Sequence, residues 1–574
     1  MVNQQLSEIF NNMSAYCEMS DDKNAFFRAR AFRKASEIIE KFPFDFAQPE
    51  WFEDLERMKK LEGIGQRIAE HIKEYVETGK IKDYENMKKE SPVKLEELLK
   101  VQGVGPKTIL KLYKQLGVTN IETLKSAAES GKIAELEGFG PKKEQNIIES
   151  IKFAITNKDR VSIARVEEHV DSLVKYLKPD KNILRLEVGG SFRRRKETIG
   201  DIDILISSKD PKASIDHFVK YPEIEKILGQ GDTKSSIWLK SHLQIDIRVL
   251  PLKSFGAALQ YFTGNKEHNV KLRNIAIAQN YKLSEYGLFE RLKNDQEGKM
   301  FESDDEAKIY KRLGLQYIIP ELREDQGELE AAKKNQLPNV ISIKNIKGDF
   351  QMHTTNSDGG NSIEEMALKC KSLGYKYMGI TDHFGKLKIA NAIDVSEFPK
   401  YLEDIRKADK KVDGIKIYAS GEIEIDKDGD LEFPEELLKE LDYVIASVHF
   451  STKMDKKQMT ERIIKALKNP LTKILAHPTG RLIGQRPGFE FDYREVFKVA
   501  REERVALEIN AHPARLDLND YLTKLAVDLG CKIVINTDSH AVIELNNMKY
   551  GIDVARRGWV QEKDLAKIGD IVRE

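Results

Sequence analysis

The spacing of apolar positions changes rhythm along the chain. In the first third, an apolar-Gly-apolar-Gly run recurs around Gly63-Ile-Gly65, Gly103-Val-Gly105 and Gly138-Phe-Gly140, each time followed by a helical pattern. From about residue 183, short strand-like segments take over at 186–188, 202–206 and 243–250, which predicts a mixed α/β region. A polar stretch at 320–338 then interrupts the strand signals and predicts a linker carrying a short helix. After Lys347, strands and helices alternate, and the apolar runs 377–383, 417–422, 443–449, 474–477 and 533–540 all end in polar side chains able to bind a metal. Strands of a βα barrel deliver functional residues at their C-terminal ends, so these endings are expected to converge on one rim.

Length and composition bound this picture. A chain of 574 residues exceeds one ordinary core, and roughly three to four domains are expected. Basic and acidic residues balance at 94 each, so any nucleic-acid partner must be met by local charge such as Arg193-Arg194-Arg195-Lys196, or Lys107 with Lys111 and Lys114. Cys17, Cys370 and Cys531 lie far apart, which argues against a disulfide framework or a thiolate zinc site and for a reducing compartment. Neither a membrane span nor a signal-peptide pattern is present, so a cytoplasmic protein without membrane partners is expected.

Candidate chemistry begins at Asp201-Ile-Asp203. Side chains alternate along an extended segment, so both carboxylates project to one face, where Asp246 of the apolar run Ile245-Asp-Ile247-Arg-Val249 can join them. An isolated Asp-x-Asp is common in strands. A further aspartate inside an apolar strand needs a partner or a cation, and the preceding Gly189-Gly190-Ser191 turn lets backbone N–H groups approach a triphosphate. Three aspartates supply the hard oxygens that Mg2+ prefers, a site for nucleotidyl transfer.

The other motifs add two expectations. Paired glycines make a tight hairpin between helices whose N–H groups hold a phosphate directly or through a monovalent cation, so Gly63, Gly65, Gly103, Gly105, Gly138 and Gly140 are candidate DNA-backbone contacts of the helix-hairpin-helix kind. Among the 11 histidines, His353, His383, His449, His477 and His540 lie at the ends of apolar runs beside Asp358, Asp382, Glu422 and Asp538. Imidazole and carboxylate without thiolate suit a cluster of Mn2+, Zn2+ or Fe2+ that activates water against a phosphate ester.

Together these motifs resemble known families over nearly the whole chain. The run from Gly190 to Asp203, with Asp246 and Tyr261-Phe-Thr-Gly264, resembles family X DNA polymerases. Met352-His353-Thr-Thr-Asn-Ser-Asp358, Thr381-Asp-His383 and Asn536-Thr-Asp-Ser-His540 resemble the polymerase and histidinol phosphatase (PHP) domain. The resemblance implies helical helix-hairpin-helix N-terminal domains, a nucleotidyltransferase-type palm and a C-terminal (β/α)7-like barrel. Its expected boundaries are a DNA-binding domain at 1–88, a fingers-like domain with two further hairpins at 89–155, the palm at 156–260, a thumb-like nucleotide-selection domain at 261–318, a linker at 319–338 and the PHP phosphoesterase at 339–574.

The resemblance also implies roles. Asp201, Asp203 and Asp246 would hold two Mg2+ or Mn2+, with Asp246 nearest the primer 3'-hydroxyl. Gly190, Ser191 and Arg194 would hold the β and γ phosphates of a dNTP, with Arg160 nearby. Tyr261 and Phe262 would crowd the sugar edge, Gly264 would allow close approach, and Asn269 and Arg273 would face the minor-groove edge of the new pair, which favours templated over template-independent addition. His353, Asp358, His383, Glu422, His449, His477, Asp538 and His540 would ligate the second centre. The implied protein is a monomeric, gap-filling repair polymerase on gapped or primer-template DNA, with a 3'-5' exonuclease that extends to abasic-site cleavage. The alternative is a barrel serving only as scaffold or DNA-binding surface.

Two departures qualify this picture. The family's His-x-His ligand pair reads Gln351-Met352-His353 here, and a neutral carbonyl oxygen in place of an imidazole nitrogen weakens affinity for a borderline metal. Where relatives with lyase activity carry a Schiff-base lysine, this chain has His71, which offers no primary amine, and Lys73 lies on another helix face. Binding of a 5'-phosphate near Arg28, Lys34 and Arg67, with little lyase activity, is therefore expected.

Overall fold

The computed structural model describes residues 2–20, 25–41, 46–47, 49–61, 63–99, 101, 103–156, 160–293, 296–385 and 391–573. Each glycine repeat turns the chain into a helix: Gln66–Thr78, Pro106–Leu116 and Pro141–Thr156. The first glycine of each pair has positive φ (+88° at Gly63, +83° at Gly103, +78° at Gly138), a conformation L side chains resist. Apolar residues on one face, such as Ile68 with Ile72 and Ile109 with Leu112, bury each helix in one of two separate cores. The helix Val2–Met19 serves both, placing Phe10 in one and Ala15 in the other.

The palm is a five-stranded sheet in the order Ile183–Val188, Asp201–Ser208, Gln244–Val249, Lys234–Leu239, Ile224–Gln230. Period-two burial fixes its register: Ile202, Ile204 and Ile206 point into the core with Ile245 and Ile247, each worth roughly 1.5–3 kcal/mol on burial. Their neighbours face the other side. Because the two middle strands run parallel with Asp203 opposite Asp246, the alternation brings three carboxylates to one end of the sheet.

Helices Phe255–Thr263 and Lys266–Ala278 lead from the palm into a thumb built on the antiparallel strands Tyr281–Ser284, Gly287–Arg291 and Glu297–Met300. The polar stretch after it does contain the expected short helix, Glu328–Lys333. It is not a free tether, however. Arg323 is fully buried, donating to Glu306 at 2.6 Å with the Tyr310 and Tyr317 rings 5.2 and 5.6 Å away, and Glu328 lies 2.6 Å from His268 Nδ1. Polarity resembled a linker because the partners of these charges lie elsewhere in the sequence.

In the C-terminal region, parallel strands and helices alternate from Gly348–Asp349 to Ile533–Asn536. The ring closes between its first and last strands through a parallel bridge between Met352 and Ser539, where His353 N–H donates to Ser539 O at 2.8 Å. Palm and barrel apolar residues merge into one cluster, whereas the thumb and the two N-terminal cores stay separate. No described helix is long and apolar enough to cross a membrane, and Cys17, Cys370 and Cys531 are all buried.

Candidate functional site

A cavity of about 400 Å³ in the palm is lined by Arg160, Gly190, Ser191, Arg194, Asp201, Asp203, Tyr261, Phe262, Gly264, Asn269 and Arg273, together with Asn265 and Lys266. Every nucleotide-contact residue expected from sequence thus borders one space. Gly190 has φ +63°, and a Cβ there would lie 2.7 Å from Asp203 Oδ2, so only glycine lets the turn pass the carboxylate. Asp246 accepts from Ser236 Oγ and, at 3.0 Å, from Gln244 Nε2. Neither supporting residue was read from the sequence, although Gln244 lies on the same strand face, two positions before Asp246.

Burial, with Asp201 and Asp246 beside it, pushes the Asp203 carboxyl up to about 7. Crowded carboxylates of this kind fit divalent cations, which relieve the repulsion that protonation otherwise relieves. Tyr261 and Phe262 are half-buried, their rings edge to face at 5.1 Å, so they form a wall rather than core. Asn269 accepts from Gln260 at 2.7 Å and donates to Tyr261 O at 2.7 Å, engaging one lone pair and one of its two amide hydrogens.

The basic run 193–196 is not an open positive patch. Arg193 pairs with Glu306 at 2.6 Å, Arg194 with Glu324 at 2.7 Å, and Arg195 with Asp553 at 2.7 Å and Glu167 at 3.1 Å. Lys196 lies 3.5 Å from Asp520 and 3.7 Å from Glu324, and burial lowers its ammonium to about 8. The run therefore joins the palm to the thumb and the barrel.

At the barrel rim all eight expected ligands meet. Three overlapping groups form, His353-Asp358-His383-His540, His383-Glu422-His449 and His353-Glu422-Asp538, while His477 lies 2.8 Å from Glu422. His353, Glu422 and Asp538 form a buried floor; Asp358, His449 and His540 are part-exposed at the mouth. Positive φ at Asp538 (+53°) and His477 (+27°) marks backbone strained where a strand ends at the cluster. Despite burial, Asp538 and Glu422 hold His353 well above the usual imidazole range, while burial, with His353 and His449 nearby, drives His383 down to about 3.

This donor set fits metal ions. Gln351 Oε1, His353 Nδ1 and His477 Nδ1 are buried with no hydrogen-bond partner among the described residues. Gln351 Nε2 lies 3.5 Å from Asp538 Oδ1, so the glutamine occupies the cluster without replacing an imidazole. Asp382, an acidic companion of these ligands, accepts from Thr354 N and Oγ1 at 2.7 Å and from Ser357 at 2.6 Å, holding the 353–358 loop. Unforeseen supports are Glu424, 2.9 Å from His449 Nδ1, and Asn510, which donates to Asp538 at 3.0 Å. Glu424 had a signal, since it shares a strand face with Glu422 at period two.

The hairpins leave their second glycines open, with no atom of the described residues within 4 Å of a Cβ at Gly65, Gly105 or Gly140. His71 is buried at 6% exposure, its ring 6.3 and 6.2 Å from those of Phe10 and Phe32, and burial lowers its pKa. Arg67 is paired with Asp83 at 2.6 Å.

Family models match along the chain: a helix-hairpin-helix domain over residues 1–81, a SAM-like helix-hairpin-helix tandem over 95–152, DNA polymerase beta palm over 159–252, DNA polymerase beta thumb over 258–324 and a PHP domain over 349–512. The thumb match takes in Arg323 and Glu324, beyond the boundary expected at 318. The chain is 35% identical to the DNA polymerase/3'-5' exonuclease PolX of Bacillus subtilis (strain 168), over 98% of its own length and 97% of that protein's. DNA polymerase lambda of Arabidopsis thaliana is 27% identical over 50% of the chain and 54% of its own length. A probable phosphatase of Thermoanaerobacter sp. (strain X514) is 28% identical over 39% of the chain and 94% of its own length.

Palm and thumb make the chain a nucleotidyltransferase of the polymerase beta type. It belongs to the family X DNA polymerases that carry a C-terminal PHP domain.

Proposed function

We propose that this protein fills short gaps in DNA by template-directed nucleotidyl transfer and removes 3' nucleotides with its barrel. The observation that carries the first activity is the palm cavity, bordered by Asp201, Asp203, a glycine turn and Arg194, with Asp246 directly opposite Asp203 on the neighbouring strand. Two Mg2+ or Mn2+ held by Asp201, Asp203 and Asp246 would activate the attacking hydroxyl and stabilise the leaving pyrophosphate. Ser191, Arg194 and the N–H groups of Gly190 and Ser191 bind the triphosphate of a dNTP. Tyr261 and Phe262 limit room at the sugar, while Asn269 and Arg273 line the side where the new base pair would lie. The hairpins of residues 63–65, 103–105 and 138–140, whose second glycines stand in open space, grip the DNA backbone.

In the barrel, His353, Asp358, His383, Glu422, His449, His477, Asp538 and His540 would hold Mn2+, Zn2+ or Fe2+, which supply activated water for phosphodiester hydrolysis. The Bacillus subtilis relative, a polymerase and 3'-5' exonuclease, supports that reading. A scaffold role is the second reading, favoured by Gln351 in a ligand position. Purified protein should extend a primer across a gap, and Asp203→Ala should reduce extension by at least about a thousandfold. Undiminished extension by that variant would overturn the palm assignment.

A further inference from the structure

Arg557 belongs to the helix Met548–Arg557 of the barrel, yet its side chain ends beside the polymerase cavity. Its guanidinium is 2% exposed. Nη1 donates to Glu324 Oε1 at 2.9 Å and to the backbone oxygen of Arg194 at 3.0 Å, while Nη2 donates to Asp520. Glu324 Oε1 also accepts from Arg194 Nε at 2.7 Å. Arg194 Nη1 donates to Thr263 O, and a Cβ at Gly264 would lie 3.2 Å from that nitrogen. The cavity arginine is thus held along its length: backbone by Arg557, Nε by a carboxylate that Arg557 shares, and Nη1 by the backbone at the cavity wall.

Charge agrees with this geometry. Burial alone would raise Glu324, but Arg557 and Arg194 hold it at about 2, so it stays anionic between two guanidiniums. Lys196, 3.7 Å from Glu324 and 3.5 Å from Asp520, closes the cluster; Glu197, which also acts on Arg557 and Lys196, is paired with Arg481, so four cations share three carboxylates. That excess of one positive charge stands beside the space assigned to a triphosphate. Removing Arg557 would cancel the excess and leave Glu324 to Arg194 and Lys196, the geometry in which a carboxylate draws a phosphate-binding arginine away from its ligand.

We propose that Arg557, acting through Glu324, is a positioning residue for Arg194, so that the barrel sets the affinity of the polymerase site for the incoming nucleotide. This rests on the reading of Arg194 as a triphosphate contact. The selective consequence is on binding: an arginine that meets the triphosphate in the ground state and the transition state alike governs KM more than kcat.

Single-nucleotide gap filling by the full-length chain, with kcat and KM for the dNTP measured separately, tests the inference. Arg557→Leu should raise KM about tenfold with kcat changed less than about threefold, and Arg557→Lys should restore part of the loss. Arg194→Ala separates the two levels of the argument. If Arg194→Ala raises KM and Arg557→Leu does not, the positioning role is wrong. Should Arg194→Ala leave KM unchanged, the triphosphate reading fails first and the inference falls with it. Thermal melting accompanies each variant. Where Arg557→Leu does not fold, Arg557→Lys decides: a folded protein with KM raised about twofold or more supports the proposal, and an unchanged KM overturns it.

Discussion

In the palm, the carboxylates come from two neighbouring parallel strands, and the register of Asp203 against Asp246 places them together. In the barrel, the ligands come from strand ends and loops spread over residues 353–540; His383 and Glu422 are register partners too, but His353 and Asp538 meet only because the ring closes between Met352 and Ser539. The electrostatics differ as well. Palm carboxylates crowd side by side at the edge of an open cavity, while those in the barrel lie among imidazoles that compensate their charge. One site is built by register alone and gathers like charges; the other adds ring closure to register and is largely charge-paired.

The strongest way to break this comparison is to remove a shared barrel partner. Asp538 faces His353 at 3.1 Å and accepts from Asn510, so Asp538→Ala leaves a buried imidazole without its counter-charge and should cost roughly 3 kcal/mol of stability. Metal content by mass spectrometry should fall, and exonuclease activity should drop by about a hundredfold or more, while primer extension persists. Normal metal content would show that the barrel does not hold its ions through that floor.

Gln351→His sharpens the comparison from the opposite side. An added imidazole should tighten Zn2+ or Mn2+ binding by about tenfold, read by equilibrium titration and metal content, with a parallel rise in exonuclease rate. Robust nuclease activity that the substitution leaves unchanged would mean that the glutamine carbonyl ligates adequately.

The third test concerns the palm. With Asp203 pushed up to about 7, proton and cation compete for the same oxygens. Divalent-ion affinity should therefore be full above pH 7 and fall by about tenfold per pH unit below it, measured by titration with catalytically inert Ca2+. The sign follows from the raised pKa, because the neutral acid that predominates at lower pH does not bind the ion. A flat profile between pH 5.5 and about 8 would show that repulsion among the three carboxylates is not what the site stores.

The smallest expected signal lies in the N-terminal domain. Borohydride trapping on DNA with a 5'-deoxyribose phosphate should give little adduct, because His71 is packed against Phe10 and Phe32 and no amine stands in its place. A strong adduct would point to a lysine elsewhere.

The palm chemistry was legible because it is local. Asp201, Asp203 and Asp246 follow from period-two alternation, and the Gly190 turn lies within the same short motif. The barrel rim was legible as a pattern of strand endings, although Asp382 is indistinguishable by position from a ligand and instead braces the loop after His353. What could not be read was pairing over long separations. Arg193 to Lys196 looked like positive charge for a partner, but Glu306, Glu324, Asp520 and Asp553 neutralise it from more than a hundred residues away. For the same reason residues 319–338 looked solvated: only the fold brings Glu306 to Arg323 and Arg557 to Glu324.

The bond between Arg557 and Glu324 also has a consequence for biogenesis. Translation delivers the hairpins, palm and thumb first, and every side chain lining the nucleotide cavity exists once residue 273 has been made. Glu324 follows, but its second guanidinium arrives only with the penultimate helix, Met548–Arg557, after the strand that closes the ring. A nascent chain halted before that helix would carry a complete set of polymerase carboxylates beside an arginine that still lacks the Arg557 contact to its backbone.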